Sequence, residues 1–249
     1  SGPNTQFPVL LSQLYDNSNF YFFNIEIIDS SSTVLTSSSA SFMVFQNTIM
    51  PQVSNLLAFG DSLSDMGNAK DSILNVPDVP PYWQGRFSNG PVWLEYVSEA
   101  YGLTTTVGSL SEQGDNRAFG GAQTGQGFSY LLLPNVGTQI GNYLANVQTA
   151  IPSNDIIALW AGGNDFLYGT ANSDTIVANM ESHLRQLHEA GARQFIIPNL
   201  PPLEKTPEIL SRSQNQQSNI ASEVISYNTK LSNLISDLIA ELSIKVYFI

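Results

Sequence analysis

"LLAFGDSLSDMGN", residues 56–68, joins a fold signal to a chemical one. Leu56–Gly60 is apolar or small without a polar break, which predicts a strand buried on both faces. Gly60, Asp61 and Ser62 then switch to turn chemistry. A serine at the tip of such a turn is either a helix N-cap or a nucleophile, and the second reading needs a base and oxyanion donors nearby. Outward from this stretch the pattern repeats. "DIIALWAGGND" (155–165), "RQFIIPNLPP" (193–202) and "IKVYFI" (244–249) read as further buried strands. Between them, "GPVWLEYVSEAYGL" (90–103), "VGTQIGNYLANVQTAI" (136–151), "TIVANMESHLRQLHEAGA" (175–192) and "SNIASEVISYNTKLSNLISDLIAEL" (218–242) have helical periodicity. Apolar strands alternating with helices predict a parallel sheet covered on both faces, with its chemistry at the carboxyl ends of the strands.

Residues 1–50 read differently. "FPVLLSQLY", "NFYFFNIEIID" and "ASFMVF" are β-branched and aromatic, with "SSSTVLTSSSA" (30–40) as a polar connector. This predicts a small antiparallel β-rich accessory segment, outside the catalytic sheet, followed by a domain spanning 51–249.

Composition narrows the function. Of 249 residues, 42% are hydrophobic, enough for a sizeable core, and only 12% are charged. A net charge of −12 repels polyanions, so nucleic acid is not an expected partner. Polar surface built from Ser, Asn, Gln and Thr suits a secreted or otherwise exported protein. The absence of cysteine excludes disulfides, thiolate metal sites and cysteine nucleophiles, and two histidines do not make a His-rich metal site. No apolar run approaches the ~20 residues of a membrane span. A chain that begins without Met and without a signal peptide reads as mature or trimmed.

Three polar, glycine-flanked turns remain: Gly60-Asp61-Ser62, "NRAFGGAQTG" (116–125) and "GGND" (162–165). Acyl transfer needs a serine, a glycine backbone N–H and an amide donor around one carbonyl oxygen. In this order the turns resemble the SGNH, or GDSL, hydrolases. "FGDSLSDMGN" is similar to the family's first block, "NRAFGGA" to its second and "GGND" to its third. "PPYWQGRFSNGPVWLEY" (80–96) and "IIPNLPPLEKTP" (196–207) resemble the bacterial lipase, phospholipase and glycerophospholipid:cholesterol acyltransferase branch. The resemblance implies a flavodoxin-like three-layer α/β/α fold and a serine esterase acting on lipid carboxylic esters through an acyl-serine, with no cofactor and no metal. It implies Ser62 as nucleophile, and the N–H of Ser62, the N–H of Gly120 and the amide of Asn164 as the oxyanion hole. Trp83, Arg86, Phe87 and Asn89 either line a substrate pocket or brace their loop.

The family's last block, Asp-x-x-His, has no counterpart in these residues. The domain therefore reads as C-terminally incomplete, and a C-terminal fragment or second chain supplying Asp and His is an expected partner, beside an ester substrate and transient contact with a membrane surface. His183 and His188 lie five apart on one helix and are expected at surface or half-buried positions, not beside Ser62. Asp61 and Asp65 read as turn and cap groups, Asp165 as a loop organiser and Trp160 as core. A non-catalytic acyl- or glycan-binding module that retains the pocket is the competing reading.

Overall fold

The computed structural model describes the backbone of residues 9–15, 20–28 and 34–43, and residues 53–108, 115–147 and 149–249 with their side chains. Two compact units, 1–52 and 53–249, divide the chain. In the first, β1 (Val9–Tyr15), β2 (Phe20–Ile28) and β3 (Val34–Met43) pair antiparallel in sequence order. β3 differs from expectation: it runs through Ser37, Ser38 and Ser39, read above as connector, because each pairs with a residue of the long β2. The side chains of residues 1–50, on which the aromatic pattern was read, lie outside the described residues.

The second unit contains, in chain order, β4 (Leu56–Gly60), α1 (Asn68–Asp71), α2 (Trp93–Ala100), α3 (Val136–Asn146), β5 (Ile156–Trp160), α4 (Gly163–Tyr168), α5 (Ser173–Glu189), β6 (Gln194–Ile197), α6 (Pro207–Leu210), α7 (Gln214–Leu242) and β7 (Lys245–Phe248). The strands form one parallel sheet ordered β4-β5-β6-β7. Every residue of β4 and β6 is buried. On one face, Leu57, Phe59, Ile157, Leu159, Phe195 and Ile197 pack against α3, α5 and α7. On the other, Leu56, Ala58, Ile156, Ala158 and Ile196 meet Val92 and Leu94 at α2. Helix, sheet, helix: this is a three-layer α/β/α fold around a parallel sheet.

Beyond β4, the next lane is irregular chain instead of a strand. Ala58 N donates to Asp115 O (2.8 Å), Arg117 N to Ala58 O (2.7 Å) and Phe119 N to Gly60 O (3.1 Å). The second motif is thereby laid along β4, and its glycines reach the edge where β4 ends at Gly60 and the chain turns through Ser62.

Gly60 fixes how closely β4 and β5 approach. Its φ is 157°, and a Cβ there would sit 2.4 Å from the backbone oxygen of Trp160. Backbone cannot step aside as a side chain can. Gly60→Ala is expected to destabilise the fold by at least about 1–3 kcal/mol, the usual cost of overpacking. Denaturant titration checks this, and an unchanged midpoint would show that the lane can widen.

Candidate active site

The first turn follows directly from its residue types. The Asp61 carbonyl accepts from Ser64 N (3.0 Å), and its carboxyl Oδ1 from Leu63 N (3.0 Å), so Asp61 closes the turn twice. Ser62 sits at the corner, half-buried, with Leu63 exposed beside it. Asp65, fully buried, ends the loop and accepts four backbone N–H bonds. Oδ1 takes Gly67 (2.8 Å) and Asn68 (2.7 Å); Oδ2 takes Ala69 (3.2 Å) and Gly120 (2.8 Å). The turn and cap roles expected of Asp61 and Asp65 are thus present.

Buried amides lock the second turn to the first. Asn68 Nδ2 donates to Asn116 O (2.9 Å) and Ala118 O (2.9 Å), and Asn116 Nδ2 to Ser64 O (2.7 Å). The third turn enters α4 through Gly162, whose φ of 114° lies in the left-handed region. Asn164 Nδ2 donates to Ala122 O (2.9 Å), which leaves one of its two N–H groups for another acceptor. The Asp165 carboxylate takes Thr124 N (2.9 Å) and Thr124 Oγ1 (2.6 Å), ordering the loop as expected. The three turns therefore meet at the carboxyl edge of the sheet, held by side-chain-to-backbone bonds.

One expected donor needs correction. The Gly120 N–H is committed to Asp65, and the Phe87 ring lies so close that a Cβ on Gly120 would be 2.3 Å from it. The next N–H, of Gly121, donates to no described residue, and neither does that of Ser62. Gly121 has φ 78°, a conformation natural to glycine. The available backbone donors are thus Ser62 and Gly121. Sequence reading could not separate two adjacent glycines, because the bond that distinguishes them comes from a residue 55 positions away.

The substrate-lining set divides. Arg86 forms a bidentate pair with Glu95 (Nη2–Oε1 2.6 Å, Nε–Oε2 3.2 Å) and lies over the Trp83 ring at 5.0 Å. Glu95 also accepts from Val92 N (2.8 Å) at the start of α2. These contacts fit the bracing reading for Trp83 and Arg86. Phe87 lies against Gly120, and Asn89 is exposed. Trp160 is half-buried and packs edge-on against Trp93 at 5.8 Å.

His183 also departs from expectation. It is buried, because position 183 falls on the apolar stripe Ile176, Met180, Leu184 and Leu187 of α5. Its Nε2 bonds to Thr124 O (2.7 Å), and Nδ1 has no partner. Burial lowers its pKa, opposed by the bond to Thr124 O. His188 is half-buried on the same helix. Neither histidine is hydrogen-bonded to Ser62.

Three carboxyls crowd this edge. Burial raises Asp61 to about 7, opposed by the Leu63 N–H and assisted by the charge of Asp165. Burial likewise raises Asp65 and Asp165, each to about 6, against their N–H and hydroxyl donors. The unfolded carboxyls titrate near 3.8, so between about pH 4 and 7 the folded protein holds protons that the unfolded chain has released. These three groups therefore make stability fall as pH rises from about 4 to 7. We expect a higher melting temperature at pH 5 than at pH 8; the opposite order would mean these groups are less buried in solution.

Residues 56–247 match the sequence family described as GDSL-like Lipase/Acylhydrolase. Over 181 residues the chain is 33% identical to the thermolabile hemolysin of Vibrio parahaemolyticus, covering 71% of this chain and 41% of that protein. Over 195 residues it is 31% identical to a phosphatidylcholine-sterol acyltransferase of Aeromonas hydrophila, covering 73% and 53%. A secreted effector protein of Salmonella typhimurium, SseJ, is 24% identical over 199 residues, covering 78% and 45%. The chain spans about half the length of these curated relatives.

Proposed function

Because the chain belongs to the GDSL-like lipase/acylhydrolase family, we propose that it is the nucleophile-bearing part of a serine esterase acting on lipid carboxylic esters, as a lipase, phospholipase or lipid acyltransferase. The observation that carries this reading is the fastening of three separate turns around Ser62 at one sheet edge. Ser62 Oγ adds to the ester carbonyl as its proton passes to a base. The carbonyl oxygen, now negative, is met by the N–H groups of Ser62 and Gly121 and by the Asn164 amide. Collapse expels the alcohol, which takes the proton, and leaves an acyl-serine. Water or a second alcohol then attacks the acyl-serine and restores Ser62.

In this proposal the base is an Asp-x-x-His block, joined covalently or carried by a second chain. The engagement of His183 elsewhere and the greater length of the relatives support this. The mechanism calls for no metal or organic cofactor. One relative, SseJ, is a secreted effector protein, which supports export. Leu63, Phe128, Tyr130 and Leu132 are exposed, and Tyr130 lies against Gly121; these support transient contact with a lipid surface.

The direct test is a fluorophosphonate probe applied to the chain supplied with that block, followed by mapping of the adduct. A probe found on any residue other than Ser62 refutes the assignment. Asn164→Ala is expected to lower turnover by about 10²–10³, the loss typical of one oxyanion donor. Near-normal turnover would confine Asn164 to its bond with Ala122.

A further inference from the structure

Asp65 belongs to the same loop as Ser62, yet one of its four bonds leaves that loop and crosses to Gly120. The other three, to Gly67, Asn68 and Ala69, fix the carboxylate itself. Bonds of N–H to an ionised oxygen are roughly twice as strong as neutral ones. The Phe87 ring packs against Gly120, where a Cβ would be 2.3 Å from it. The Phe119–Gly120 peptide is therefore held by a carboxylate and the Gly120 Cα by an aromatic ring. The Gly121 N–H lies in the next peptide plane, so anchoring Gly120 at both points limits the φ and ψ through which that N–H can swing.

We propose that Asp65 is a positioning residue of the acyl-transfer site: through its bond to the Gly120 N–H it sets the distance and direction of the Gly121 N–H relative to Ser62. This rests on the esterase reading above. Asp65 touches no reacting atom. It acts as a fixed spacer between the nucleophile's loop and the donor's loop, and displacement of about 1 Å at such a site costs on the order of 10² in rate. The role demands a carboxylate. Asparagine would turn an NH₂ toward one set of N–H donors, and serine brings a single oxygen, able to serve its own turn but not to span to Gly120.

The test uses Asp65→Asn and Asp65→Ser in the chain supplied with its base-carrying block. Serine keeps an acceptor for its own turn, so it remains informative where asparagine fails to fold. The expected result is a fall in kcat of about 10²–10³, comparable to the loss of one oxyanion donor, with KM within about threefold. Fluorophosphonate labelling should still reach completion, but about 10² more slowly. Slow, complete labelling separates a misaimed donor from a partly unfolded sample, which would label fast and stop short. In the unmutated chain, a scalar coupling across the hydrogen bond from the Gly120 nitrogen to the Asp65 carboxyl carbon should be visible by NMR. Rates within threefold of the unmutated protein, or fast and incomplete labelling in the serine variant, overturn the positioning role alone. An unmutated protein that neither labels nor hydrolyses esters overturns the esterase reading along with it.

Discussion

Hydrolysis of a short-chain nitrophenyl ester by residues 1–249 should rise by about 10⁵–10⁶ when a segment carrying Asp-x-x-His is supplied, covalently or in trans. In a well-studied serine protease, removing the base alone costs on the order of 10⁶ in kcat, because a hydroxyl is a poor nucleophile until its proton has somewhere to go. On the proposed reading, donors for the oxyanion stand beside Ser62 and the function to be supplied is proton acceptance. The chain alone should therefore fold and show only the slow residual reaction that binding and oxyanion donors support, about 10³–10⁴ over water. The geometry permits complementation. β7 runs parallel to β6, so its carboxyl end emerges on the edge where β4 delivers Ser62, and the Ile249 carbonyl accepts from Asn199 N there (2.6 Å). Full activity of the chain alone, abolished by His183→Ala or His188→Ala, would overturn the argument. Equal, low activity with and without the segment would favour a module that binds acyl groups or glycans without cleaving them.

Ser62→Ala in the complemented protein should lose about 10⁶ in kcat with little change in stability. The side chain is half-buried at a turn corner, and the turn is closed by Asp61 and Ser64. Removing Oγ deletes the nucleophile and leaves the frame intact. KM should change little, since the groups proposed to hold the carbonyl oxygen stay in place. Activity above about a thousandth of the unmutated rate, in protein free of reverted or contaminating enzyme, would assign the attacking group elsewhere. A large drop in melting temperature would instead make Ser62 a structural turn residue.

The layers of the fold were readable because strands buried on both faces leave uninterrupted apolar runs, as in Leu56–Gly60 and Ile156–Trp160. The site was readable in outline, since glycines, a serine and an asparagine at strand ends announce tight turns with donors. What escaped was decided by contacts distant in sequence. Asp65 chooses between Gly120 and Gly121 across 55 positions, and Arg86 is taken by Glu95 in a long irregular loop. His183 is a different case. Its spacing from Ile176 and Met180 places it on the buried stripe, and weighing that period above the usual exposure of histidine would have found it.

The irregular lane beside β4 has a consequence for how the protein behaves in a concentrated solution. An open edge of a parallel sheet is a template on which another chain can add a strand. Along β4 that template is consumed by Asp115–Phe119, whose outer side carries, among the described residues, a short pairing that includes Asn116 N to Thr106 O (2.8 Å) and Gly108 N to Asn116 O (2.8 Å). Asn116 turns its amide inward to Ser64, so the lane cannot lengthen into a ladder without giving up a buried bond. At the far edge, β7 begins with the exposed Lys245, whose ammonium lies 4.7 Å from the Tyr247 ring and would be desolvated by an incoming strand. The segment that leads into Gly120 and Gly121 thus also closes one side of the sheet to fibrillar growth, and substitutions that loosen it are liable to be lost to aggregation before they reach an activity assay.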